Sequence, residues 1–112
     1  MYILIESANW CSYPEDDYFS FNNQFVDDGM VFEGKQAAFD AAIKSYQDFA
    51  EENWNSPVRK DSFGYPDSFY TDYKIIVLEL NGGERMKSVF EVNVDCVING
   101  DKYVYTPKCT YY

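Results

Sequence analysis

The side chains here that can do chemistry are carboxylates and thiols: 19 Asp and Glu and three Cys, with no His. Paired carboxylates serve glycoside hydrolysis or divalent-metal binding. The candidates, Glu15-Asp16-Asp17 and Asp27-Asp28, are adjacent in sequence, and neighbours in extended chain point to opposite faces. No D-x-D-x-D-G loop of the EF-hand kind is present. Structural zinc normally takes four Cys or His ligands, and Cys11, Cys96 and Cys109 are scattered, with no C-x-x-C pair. A nucleophilic Cys needs a base, and no His supplies one. A G-x-x-x-x-G-K-[ST] phosphate loop is absent. The expectation is therefore a protein that is not an enzyme and uses no cofactor or metal. The odd cysteine count predicts free thiols in a reducing cytoplasm, with Cys96 and Cys109 as small buried hydrophobes and Cys11 exposed.

The carboxylates are unevenly spread. Residues 1–72 hold fourteen of the acids and four of the nine bases, which is the whole formal net charge of −10; residues 73–112 hold five of each. That charge opposes direct binding to nucleic-acid backbone or to anionic lipid. Asp48, Glu51 and Glu52 crowd one end of an apolar-periodic segment. If that segment is a helix, they lie at its C-terminus, where acids are unfavourable by roughly 0.3–1 kcal/mol each. Asp48 and Glu52 add a like-charge i,i+4 pair. A sequence shaped for stability alone would carry Lys there.

The elements that position these groups follow from periodicity. Residues 2–6 (YILIE) read as a strand, with no basic n-region ahead of them and hence no signal peptide expected. Residues 7–23 read as loop with an irregular strand, and 24–32 as a hairpin or bulged strand around Asp28-Gly29. Ala38, Phe39, Ala42, Ile43, Tyr46, Phe49, Ala50 and Trp54 lie on one stripe and predict a helix over about 35–53. Gly34 is its N-cap, and Asn53, Asn55 and Pro57 end it. Residues 55–72 show no period and are long for a connection in a compact domain. Residues 73–80 and 86–98 are strands around an Asn81-Gly82-Gly83 turn, and a last strand spans 102–111. A two-residue loop at Asn99-Gly100 would put Cys96 opposite Tyr103, Phe90 opposite Cys109, and Glu91 against Lys108. The chain of 112 residues then forms one acidic α+β domain over 1–112. Its expected architecture is a two-layer sandwich of one amphipathic helix on an antiparallel sheet of about four to five strands, with Phe39, Ile43, Tyr46 and Phe49 packed on Phe90, Val92 and Val94.

In composition (small, strongly acidic, 20% aromatic, without a catalytic motif) the chain resembles phage-encoded DNA mimics and other anti-restriction or anti-CRISPR inhibitors. The resemblance implies a basic protein partner, a nuclease or other nucleic-acid-binding host protein, met in the host cytoplasm. Carboxylates one helical turn apart, about 5–6 Å, stand in for successive phosphates. The residues expected to bind are Glu15, Asp16, Asp17, Asp48, Glu51, Glu52, Asp67 and Asp72, with Tyr18 and Tyr70 as aromatic anchors of the kind enriched at interfaces. The competing expectation is a small cytoplasmic protein–protein interaction domain with no nucleic-acid link.

Overall fold

The computed structural model describes residues 1–12, 17–26, 29–60, 63–64, 69–80 and 86–112, and the side chains of all of these except 11, 12 and 17–23. Its elements are β1 (Tyr2–Ser12), β2 (Asp17–Phe25), β3 (Val31–Phe32), α1 (Lys35–Trp54), β4 (Phe69–Glu79), β5 (Lys87–Asn99) and β6 (Lys102–Tyr111). The strands form one six-stranded sheet in the order β2-β1-β4-β5-β6, with the two-residue β3 also on β1. All the described pairings are antiparallel. The expected α+β two-layer architecture is present, with more strands than expected because Asp17–Phe25 forms a full strand on a β1 that runs on through Ser12, where loop with an irregular strand was expected, and β3 is separate; β4 likewise begins at Phe69, inside the segment read as irregular, because it pairs there with the extended β1.

The helix begins as its sequence dictates. Gly34 is the N-cap, in extended conformation, and the Ala38 N–H donates to the Gly34 carbonyl at 3.2 Å. It ends at Trp54 rather than Asn53, whose side-chain amide donates back to the Phe49 carbonyl at 3.0 Å. The residues buried deepest on it are Ala38, Ala42, Ala50 and Trp54. Phe39, Ile43, Tyr46 and Phe49 flank that row, half-buried, and pack against the core. Small side chains at the centre let the helix approach the sheet closely, so the larger ones reach down on either side. Beneath it lie Leu4, Ala8, Tyr73, Ile75, Val77, Phe90, Val92 and Val94, all nearly inaccessible to water.

The last hairpin departs from its expected register. Asn99 pairs with Lys102, so Gly100 and Asp101 form the loop, and Gly100 has φ +64° as primed hairpin turns require. The slip is two residues, which keeps each side chain on its face but changes its partner. Cys96 meets Tyr105, Phe90 meets Tyr111, Cys109 meets Val92, and Lys108 meets Asn93 in place of Glu91. Counting outward from the turn puts Pro107 at a position whose nitrogen points away from β5. The Tyr112 N–H donating to Val89 at 3.2 Å fits the same alternation. Pro107 therefore breaks no bond inside the sheet and removes a donor from the middle of its free edge.

Candidate partner-binding surface

The exposed turns of α1 carry Asp40, Lys44, Asp48, Glu51 and Glu52. Positions 40, 44, 48 and 52 succeed one another at i,i+4, so they form one outward stripe about 18 Å long at 1.5 Å per residue. No acid lies in the first turn and no base in the last, the reverse of what the helix dipole favours. Lys44 Nζ meets Asp48 Oδ2 at 2.7 Å and partly offsets the stripe. Asp40 accepts a hydrogen bond from Gln36 at 2.9 Å. It shares the outward face with Asp48, Glu51 and Glu52 and was legible from its spacing of eight residues to Asp48, yet it was not among the expected binding residues.

At the helix C-terminus the stripe meets an aromatic wall. Phe49 stacks on Tyr73 with ring centroids 4.3 Å apart and meets Tyr70 and Trp54 edge-on at 5.0 and 5.2 Å. The Trp54 indole N–H donates to the Tyr70 carbonyl at 2.9 Å. Tyr70, with Trp10, Phe69, Tyr103, Glu52 and Arg59, lines a cleft of about 350 Å³. Beside it Lys60 donates to Asp101 at 2.6 Å, and that bond holds the Asp101 carboxyl below its ordinary value.

Asp72 is elsewhere. In β1 and β4, Asn9 pairs with Asp72 and Trp10 with Tyr70, so Thr71 is an extra residue on β4. This bulge reverses the alternation. Tyr70 turns toward the helix, while Asp72 faces the opposite side of the sheet and accepts hydrogen bonds from the Asn9 side-chain amide at 2.9 Å and backbone N–H at 3.2 Å. The helix acids and Asp72 thus do not share a surface. Asp17 and Tyr18 open the edge strand β2, opposite Ser12 and Cys11. Their side chains, and Glu15, Asp16 and Asp67 entirely, lie outside the described residues.

Family models, curated proteins and solved structures give no match to this chain. The surface is therefore interpreted from its own geometry. Among the described residues no three His, Cys, Asp or Glu side chains gather to hold a metal ion, and no described helix is long and apolar enough to cross a membrane.

The two thiols whose side chains are described differ in setting. Cys96 is buried, and burial pushes its thiol up to about 11. Cys109, expected to be buried, is exposed, because it lies on the outermost strand, which no further strand covers. An alkylating reagent at mildly alkaline pH is expected to label Cys109 in the native protein and Cys96 only after unfolding, since the thiolate is the reactive form. Peptide mapping of the labelled sites checks this, and fast native labelling of Cys96 would contradict its burial.

Proposed function

We propose that this protein is a non-enzymatic acidic antagonist. Its helix face occupies the nucleic-acid-binding surface of a basic protein, in the manner of phage-encoded anti-restriction or anti-CRISPR inhibitors. The observation that carries the reading is the outward group of Asp40, Asp48, Glu51 and Glu52, of which Glu51 and Glu52 lie in the last helical turn, where the helix dipole penalises them. Three further features support it. Asp48 and Glu52, at i,i+4, and Asp48 and Glu51, at i,i+3, present carboxylates about 5–6 Å apart. The molecule is a rod of 55 × 22 × 22 Å, slender like a short duplex. Tyr70 and Glu52 line one cleft at the end of the stripe, where an aromatic anchor and a charge act together. The sheet places Asp72 away from this surface, so the proposed interface takes in the helix acids and the Tyr70 cleft without Asp72.

The test is displacement of a labelled DNA duplex from a panel of restriction and CRISPR nucleases, followed by fluorescence anisotropy. Displacement is expected, and it weakens as salt shortens the Debye length from about 10 Å at 0.1 M. The double variant Glu51→Lys, Glu52→Lys should lose tenfold or more in potency. Its melting temperature should hold or rise, because lysines suit the helix C-terminus and position 52 then pairs with Asp48. Affinity and stability moving in opposite directions distinguishes an interface from a merely solvated face. No displacement from any panel member would reject the mimic in favour of a small interaction domain with no nucleic-acid link.

A further inference from the structure

The cleft beside the C-terminus of α1 holds two opposite charges that do not meet. Glu52 and Arg59 both line it, yet among the described residues neither has an ion pair or a hydrogen bond. The backbone keeps Arg59 in place. On one side of it the Val58 N–H donates to the Asp101 carbonyl at 2.9 Å, and the Val58 side chain is buried. On the other, Lys60 donates to the Asp101 carboxylate at 2.6 Å. The chain beneath the arginine is thus pinned from both sides, so its guanidinium stands at the cleft before any ligand arrives. The Asn53 amide beside it is already committed to the Phe49 carbonyl at 3.0 Å. The open charged groups of the cleft are therefore one carboxylate, which only accepts hydrogen bonds, and one guanidinium, which only donates them.

The rest of the wall is aromatic. Trp10 comes from β1, Phe69 and Tyr70 from β4, and Tyr103 from β6. The Phe69 and Tyr103 rings lie 5.7 Å apart and are tilted by 35°, so they form a sloping platform. The volume of about 350 Å³ falls in the range of small-molecule sites. Tyr103 also borders a second groove of about 600 Å³, which leaves room for a group attached to the first ring.

We propose that this cleft binds a guanine base, presented as a free nucleoside. Aromatic walls take the flat face of a heterocycle, and the edges decide which heterocycle. Guanine carries N–H donors on its Watson–Crick edge, which suit Glu52, and the O6 and N7 acceptors on the next edge, where an arginine binds with two parallel hydrogen bonds. Two neighbouring edges read by opposite charges keep those charges apart, as Glu52 and Arg59 are. Adenine puts an amine where Arg59 needs an acceptor. A sugar hydroxyl, donor and acceptor in one, calls for no such separation. The net charge of −10 opposes a long phosphate chain, which selects a nucleoside over a polynucleotide. This inference does not depend on the proposed function, and its probe is used without any protein partner.

Isothermal titration of the full chain with guanosine tests it, with circular dichroism melts confirming that each variant folds. One guanosine per chain is expected, with adenosine, cytidine and uridine each about tenfold weaker or more. Arg59→Gln and Glu52→Gln, both at exposed positions, should each weaken guanosine about fivefold or more and narrow its lead over adenosine. Tyr103→Ala should weaken all four nucleosides alike, about fivefold or more, by removing a stacking surface. Tyr103→Leu replaces it if the alanine variant fails to fold. Lys108→Ala, on the opposite face of the sheet, should change nothing. No guanosine binding up to its solubility limit, equal affinity for the four nucleosides, or guanosine binding that survives both folded charge variants would each overturn the proposal.

Discussion

Phe90→Ala is expected to destabilise the protein by about 3–5 kcal/mol, the range for emptying a fully buried aromatic site. Phe90 is 1% exposed. Its ring stacks on Phe39 with centroids 4.6 Å apart and leans on Tyr111 at 4.8 Å, so its removal leaves a hole between helix, central sheet and edge strand that none of the three can fill alone. Against a total stability of about 5–15 kcal/mol for a small domain, a loss of this size is visible in a single urea titration. Phe49→Ala serves as the comparison. Phe49 also stacks on a buried ring but is itself half-buried, so about 1.5–3 kcal/mol is expected. Equal losses at the two sites, or a Phe90 variant within about 1 kcal/mol of wild type, where tolerant surface sites fall, would show that the helix does not press on β5 as described.

Tyr73→Phe is expected to cost about 1.5–3 kcal/mol, the range for hydrogen bonds to charged groups. The Tyr73 ring is fully buried, and its hydroxyl donates to Glu6 Oε2 at 2.6 Å. Without that donor, the Glu6 carboxylate stays on the helix side of the sheet with its partner gone. The same contact gives a pH signature. Burial first, then hydrogen bonding to Glu6 and its negative charge, raise the phenol above its ordinary value of 10.0. An unfolded chain releases this proton near pH 10 while the folded chain keeps it. The contribution to stability is therefore complete below pH 10 and declines as pH rises beyond it. Denaturation measured across that window should show wild-type stability falling faster than that of Tyr73→Phe. Parallel curves for the two proteins would place the Tyr73 hydroxyl in water.

The sequence was legible where one rule acts alone. The helix, with its Gly34 cap, follows from apolar spacing, and the β5–β6 hairpin follows from strict alternation around a glycine turn. Periodicity gives the face of a residue but not its depth. Phe39 and Phe49 therefore looked like the centre of the stripe, although Ala38 and Ala42 occupy it, because the close approach of two elements selects small side chains. The expected hairpin register was wrong by two residues for a related reason: alternation is unchanged by an even slip, and only the loop conformation separates the alternatives. The candidate site was harder to read. Asp48, Glu51 and Glu52 share a surface because one helix holds them. Tyr70 and Asp72, two residues apart, would share a face in a regular strand, and the extra Thr71 separates them. A bulge of this kind is decided by pairing with a strand some sixty residues away, beyond the reach of local pattern.

Pro107 also bears on how the protein behaves when crowded. β6 is the outermost strand of the sheet and is exposed along nearly its whole length, and such a margin invites other chains to add strand upon strand without limit. With a proline at its midpoint and Lys108 beside it, an incoming strand loses a central hydrogen bond and meets a charge. Growth of the sheet sideways into fibrils is thus blocked at little cost to the fold. Pro107→Val would restore an unbroken row of donors, and a solution of that variant should turn thioflavin-positive at concentrations where the parent stays clear.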